Sequence, residues 1–455
     1  MTETDKQASS RSARLYQRAL AVMPGGCSRN TVLRRPHPLY AAHGEGCYLT
    51  DIEGVTRIDF ANNMASLIHG HAPPEIVDAV TEQLHRGTGY TMATEAEILF
   101  AEHMCNRAPA FKKIRFVNSG TEAIMSAVKA SRAFTGRAKI AKVEGAYHGQ
   151  YDYAEVSQNP GPTNWGALDS PSSVPVAYGT PASALDDVVI IPFNDPDRAI
   201  AILEQHADEL ACVLVDLLPH RVGLIPAQPD FVKRLRQWTR SNDVLLVCDE
   251  VITFRCDYGG AQASYDIEPD LTAMGKMIGG GFPVGALAGS DAVMSVMDPL
   301  ADKILFPHSG TFSANPVTMT AGRIAMELFD QAAIDRLNDL GEQARGAIEE
   351  AIRAADVPAC VTGTASMFRI HMKPNPPRNY REAYDVANED ILRREFLDYA
   401  LANGILLVGT CTGMLSTAMT GKEIDRLAEV VEGAFRKIAP ALSVKSHVDK
   451  TRSSL

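Results

Sequence analysis

Apolar positions along this chain gather in short unbroken runs separated by longer amphipathic stretches. Residues 114–117, Lys139–Val143, Val188–Ile191, 212–215 and 244–247 are mostly β-branched or aliphatic. Strands buried on both faces read this way, and such strands form parallel sheets covered by helices. Helical patterns fill the intervals, at 121–134, 195–209 and 230–242. Strand, helix, strand in repetition predicts an α/β domain with a mostly parallel sheet. The flanks differ. Residues 13–70 hold short alternating segments such as 46–51, and 331–440 mix long amphipathic helices with short strands at 367–370 and 405–408. We read the two flanks as one smaller α+β domain made from both chain ends. The division is an N-terminal segment 1–72, a large domain 73–328 and a C-terminal segment 329–441, with polar tails expected at 1–12 and 442–455. Residues 155–187 are rich in Pro, Gly and Ser, and so long an irregular stretch reads as a lid or binding loop.

Composition narrows the class. In 455 residues, 45% are apolar and 22% charged, a globular balance. The net charge of −11 leaves no basic surplus to neutralise phosphates, which excludes a general nucleic-acid binder. No run approaches the ~20 apolar residues that span a bilayer. The start, MTETDKQASS, lacks the apolar segment of a secretory signal. The eight cysteines are scattered without a C-x-x-C pair, so neither a disulfide framework nor a zinc site is expected and a cytoplasmic location is.

Ligands of α/β sheets sit beyond the carboxyl ends of the strands, so the residues there carry the chemistry. After 114–117 comes Asn118-Ser119-Gly120-Thr121-Glu122, where Ser119 and Glu122 have the spacing of a capping box. The start of that helix can hold a phosphate, or it is an ordinary capped helix. After Lys139–Val143 comes Gly145-Ala146-Tyr147-His148-Gly149, either a ring platform or a glycine turn with a half-buried tyrosine. After 244–247 comes Cys248-Asp249-Glu250-Val251. An acid ending an apolar strand needs a partner: a protonated ring nitrogen, an arginine, or the next turn's amides. Lys276 follows a short apolar strand beside Gly275, where its pKa can fall enough for imine chemistry, unless it snorkels to solvent. The glycine run from Gly279 fails the dinucleotide pattern at Val284, which disfavours a nicotinamide dehydrogenase. Phosphate cradle, aromatic face, buried acid and reactive amine together match what pyridoxal 5′-phosphate requires.

On these residues the chain, from about Leu15 to Leu442, resembles the class III aminotransferases of the type I pyridoxal-phosphate fold. Met23-Pro24-Gly25-Gly26-Cys27-Ser28-Arg29 and Ser309-Gly310-Thr311-Phe312 make it similar to the glutamate-1-semialdehyde aminomutase branch, which also holds the β-amino-acid (β-phenylalanine) aminotransferases. The resemblance implies a large domain with a seven-stranded, mostly parallel sheet and a smaller α+β domain. It implies a ping-pong transaminase taking a small amino donor, with β-amino and aromatic acids among the candidates, and a keto acid or aldehyde acceptor. Lys276 would form the internal aldimine, Asp249 would pair with the ring nitrogen, and Tyr147 and Val251 would cover the two ring faces. Ser119, Gly120 and Thr121 would hold the phosphate, Thr311 would reach the phosphate of a neighbouring subunit in a homodimer, and Arg29 would bind a substrate carboxylate. Asp216-Leu217 stands where relatives often carry Glu-Pro. Thr410 stands where β-phenylalanine enzymes carry a second arginine, and the aminomutase glutamate of that stretch is missing. Arg221 is a candidate to replace that arginine. An intramolecular aminomutase and a non-catalytic cofactor-binding protein are the rival readings.

Overall fold

A computed structural model of the chain describes residues 10–452, with side chains through 442. The strands in chain order are β1 (Ala41–Glu45), β2 (Tyr48–Asp51), β3 (Thr56–Asp59), β4 (Lys113–Val117), β5 (Lys139–Val143), β6 (Gly166–Ala167), β7 (Ser170–Pro171), β8 (Val188–Ile191), β9 (Leu210–Val215), β10 (Leu245–Asp249), β11 (Leu271–Gly275), β12 (Gly285–Gly289), β13 (Cys360–Thr362), β14 (Met367–His371), β15 (Ile405–Leu406) and β16 (Thr412–Met414).

The central sheet has seven strands in the order β4-β12-β11-β10-β9-β5-β8. Every residue of β8, β9 and β10 is buried, as expected of a parallel sheet with both faces covered by helices. The one antiparallel member is β12, paired with β11 on one side and β4 on the other. Its sequence, GALAG, has almost no intrinsic strand preference, which is why the apolar pattern does not predict it. Close packing selects it instead: a Cβ on Gly285 would lie 2.0 Å from the Ser119 carbonyl oxygen. All the other strands of this sheet share one direction, so β4, β5, β9, β10 and β11 present their carboxyl ends along one edge.

The smaller sheet is β1-β2-β3-β15, with Ile405 opposite Ile58. It is a single layer built from the two ends of the chain, as the flanking patterns predict. A three-stranded sheet, β13-β14-β16, packs beside it. Of the expected strand at 405–408 only Ile405–Leu406 is regular, because Val408 turns back to bond Thr412.

The expected tails are shorter than the sequence pattern implies. Ser10 caps a helix, Arg11–Leu20, and the Ser12 amide docks on Glu53 at 2.8 Å. The last helix runs Gly421–Arg452, and Leu442 is buried in the main core. Residues 1–9 and 453–455 of those tails lie outside the described residues. Among the described residues no helix is long and apolar enough to cross a membrane.

One buried histidine gives the fold a pH signature. His371 on β14 is bonded through Nε2 to Thr362 Oγ1 at 2.8 Å. Burial, with Arg369 nearby, pushes its pKa down to about 3. The unfolded chain takes up this proton near pH 6.5 and the folded one does not, so stability is lost as pH falls below 6.5. We expect the stability gap between wild type and His371→Gln to narrow by about 2 kcal/mol between pH 7.5 and pH 5. Urea unfolding at the two pH values measures it, and an unchanged gap would refute the assignment.

Candidate active site

A cavity of about 390 Å³ opens at the carboxyl edge of the central sheet. Ser119, Gly120, Thr121, Tyr147, Asp249, Val251, Lys276 and Arg29 all line it. Residues separated by up to 247 positions thus meet in one place: all but Arg29 follow or end strands of the central sheet that run the same way, and Arg29 arrives from the segment ahead of β1.

The helix Gly120–Thr135 starts at the cavity with Ser119 as its cap: Ser119 Oγ accepts from the Glu122 amide at 3.1 Å. Glu122 does not return to the cap residue itself. Its carboxylate takes the Asn118 amide at 2.8 Å, one residue earlier than the capping-box spacing predicts. The first amides of the helix have no intrahelical acceptor and carry the positive end of its dipole. A Cβ on Gly120 would lie 2.9 Å from Val251, and one on Gly149 (φ +91°) would lie 2.5 Å from Thr121 Oγ1. Side chains at either place would crowd the cradle.

Asp249, at the end of β10, is buried and fully engaged. One carboxylate oxygen accepts from His148 Nδ1 at 2.7 Å and the other from the Val251 amide at 3.0 Å. The acid therefore finds its fixed partners in a histidine and its own following turn, not in an arginine. Burial lowers the His148 pKa against the opposing pull of Asp249, and His148 Nε2 is enclosed with no partner. The neighbouring Glu250 faces the other way. It accepts the Gln262 and Ala261 amides at 2.8 and 3.1 Å, and burial pushes it up to about 7.

Lys276 lies just past β11 and does not snorkel outward: it lines the cavity at φ +50°, a left-handed conformation that costs an L residue about 1–2 kcal/mol. Burial lowers its pKa, while Asp249 and Asp216 pull it upward. Asp216 lines the same cavity at the end of β9, and burial together with the Asp249 charge drives its carboxyl well above the usual range.

The lip of the cavity carries residues that the sequence pattern leaves unmarked. Asn62, Asn63, Met64 and Ala65 form a left-handed turn with φ between 45° and 71°. Asn62 Nδ2 anchors it on the Met414 carbonyl at 2.7 Å, and Asn63 Oδ1 holds Arg29 at 2.7 Å. Two adjacent asparagines, which tolerate this conformation best after glycine, were the available signal. Thr311 and Phe312 stand outside the cavity on an exposed segment, so Thr311 takes no part in the cradle of its own chain. Thr410 spends its hydroxyl on Thr412 Oγ1 at 2.8 Å.

The profile of the family Aminotransferase class-III matches residues 31–431. The chain belongs to that family. Among similar proteins is a glutamate-1-semialdehyde 2,1-aminomutase from Methanothermobacter thermautotrophicus, 39% identical over 93% of this chain and 98% of the relative. An omega-transaminase from Sphaerobacter thermophilus is 46% identical with a TM-score of 0.92, covering 96% of this chain and 99% of that one. A β-phenylalanine aminotransferase from Variovorax paradoxus is 32% identical with a TM-score of 0.86 over 96% of each chain. This class III aminotransferase is a pyridoxal-phosphate enzyme, with the α/β architecture of those transaminases.

Proposed function

We propose that this class III enzyme is a two-substrate transaminase. It takes the amino group of an amino acid, α or β, and passes it to a separate keto acid or aldehyde. The observation that carries the reading is the convergence of Lys276, Asp249 and an anion-accepting helix start on one cavity.

Bound there, pyridoxal 5′-phosphate supplies an electron sink for the bonds around the substrate amine. The residues present fit that group. The amides at Gly120 and Thr121, with the Ser119 and Thr121 hydroxyls, would hold its phosphate. Asp249 would offer its carboxylate to a protonated ring nitrogen, and the bond to His148 would fix the orientation of that carboxylate. Tyr147 and Val251 offer flat and branched apolar surfaces for the two faces of a ring. Lys276 supplies the amine and moves the proton at the reacting carbon. Burial makes its neutral form more available near neutral pH than an exposed lysine's. Arg29, held by the neutral oxygen of Asn63, keeps its charge free for a substrate carboxylate. A homodimer follows from the same reading. Thr311 lies next to the exposed Phe312, and Leu300 and Leu305 a few residues earlier are exposed as well, which supports a second copy covering this segment.

The second reading is an intramolecular aminomutase. The names of the curated relatives, 39% and 36% identical over more than nine-tenths of this chain, favour it over a β-amino-acid transaminase. Against it, the stretch 408–412 has no acidic side chain. One experiment separates the two. Donors of both hands, α and β, are incubated with pyruvate or 2-oxoglutarate, and both products are quantified. We expect keto product and new amino acid in equal amounts. Conversion of glutamate-1-semialdehyde without any acceptor would instead establish the aminomutase.

A further inference from the structure

Several half-buried arginines of this fold are committed to carboxylates. Arg57 pairs with Asp51 at 2.7 Å, Arg236 with Asp270 at 2.7 Å, and Arg381 with Glu144 at 2.8 Å. Arg221 is different. It sits in the segment that follows β9, with its guanidinium over the ring of Tyr147, 5.7 Å from the centroid. Its hydrogen-bonding partner is the neutral side-chain oxygen of Asn159, and it forms no ion pair among the described residues. Two acids of this corner are already taken: Glu144 by Arg381 and Asp385 by Arg393 at 3.0 Å.

Positive charge accumulates in this corner. The His220 ring meets the Tyr147 ring edge-on at 6.1 Å, and Arg369, only 5% exposed, donates to the His220 carbonyl at 2.9 Å. Arg369 Nε is enclosed without a partner. Burial, Lys276, Arg221 and Arg369 together push the His220 pKa down to about 3. Burial also lowers the Arg221 pKa, and the groups that oppose it are the tyrosines 380 and 147, not a carboxylate. Tyr147 lines the cavity and Arg221 stacks on its ring, so a partly buried guanidinium without a resident anion stands one side chain from the cavity, a site for an anion that arrives from outside.

We propose that Arg221 is a carboxylate-binding residue of the substrate pocket, gripping the carboxylate of the keto or amino acid on the Tyr147 side. Arg369 is a positioning residue: by holding the His220 carbonyl it fixes the backbone from which Arg221 projects. The assignment deepens the transaminase reading and rests on it.

The test uses loaded wild type, Arg221→Gln and Arg221→Lys. Pyruvate and 2-oxoglutarate serve as carboxylate acceptors and butanal as an acceptor without one. Glutarate, which cannot react, is titrated calorimetrically. For Arg221→Gln we expect the kcat/KM ratio of keto acid to butanal to fall at least tenfold, chiefly through KM, and glutarate affinity to fall at least tenfold. Arg221→Lys should recover part of both. An unchanged ratio with unchanged glutarate affinity overturns the proposal. If wild type transfers to no acceptor although borohydride labels Lys276, the transaminase reading fails separately. The glutarate titration then decides: weaker binding in Arg221→Gln supports the site, and equal binding overturns it.

Discussion

Replacing Lys276 with alanine is expected to lower kcat by about 10³-fold or more while leaving the fold intact. The side chain projects into a cavity rather than into packed core, so its removal exposes no cavity-lining apolar group to strain. It also relieves a left-handed backbone only partly, because alanine is an L residue too. Stability should therefore change little. Turnover should collapse, because on the proposed reading the amine moves the proton at the reacting carbon, and a positioned acid or base of this kind is worth about 10²–10⁴-fold. Among the described residues no second lysine lines the cavity to replace it. Steady-state rates with a donor and acceptor pair, together with borohydride reduction and peptide mapping, check both halves. In wild type the label belongs on the peptide that contains Lys276. A variant that turns over at more than a tenth of the normal rate, or a label on another peptide, ends the assignment.

Asp249→Asn carries the second-largest expected effect. The substitution keeps the shape and retains an oxygen to accept from His148 Nδ1, so the 2.7 Å contact can persist. What disappears is a buried carboxylate, the group that on the proposed reading faces a protonated ring nitrogen in this cavity. A preorganised charge in a site closed to water is typically worth about 10²–10³-fold in rate. We expect a loss of that size in kcat and weaker retention of the cofactor on gel filtration. A second effect distinguishes this from simple damage. The Asp249 charge helps raise the pKa of the Asp216 carboxyl, so in the variant that carboxyl should ionise at lower pH. A spectroscopic titration of the Asp216 carboxyl in the variant and in wild type reads that shift. An Asp249→Asn enzyme with more than a third of wild-type activity would refute the role.

The strands of the central sheet were legible because burial on both faces leaves no polar position to blur them. Val188–Ile191 and the apolar stretch 212–215 read as strands from composition alone. The placement of the candidate site followed, since strand direction puts Ser119, Tyr147, Asp249 and Lys276 on one edge. Other features depended on neighbours remote in sequence. The strand β12 exists because Ser119 and Asp270 leave room only for glycine at its ends. His148 was visible as a residue beside Tyr147, but its bond to Asp249 spans 101 positions. The left-handed turn at Asn62–Ala65 is held from Met414 and could be read only as a pair of asparagines. The polar ends read as loose because their charge pattern is weak, yet Ser12 and Leu442 are each tied down by contacts with residues remote in sequence.

The pairing of β3 with β15 has a consequence for synthesis. Ile58 emerges from the ribosome early, and Ile405 follows only after nearly the whole polypeptide has been translated. Until then the outer edge of β3 offers bare amides and carbonyls to any passing extended segment, the situation that invites aggregation. Closing so long a loop adds only modestly to the entropy cost, about 0.6 kcal/mol per doubling of length, so waiting time rather than equilibrium is the hazard. Truncations that stop before Ile405 should accumulate in inclusion bodies even though the whole seven-stranded sheet has already been made.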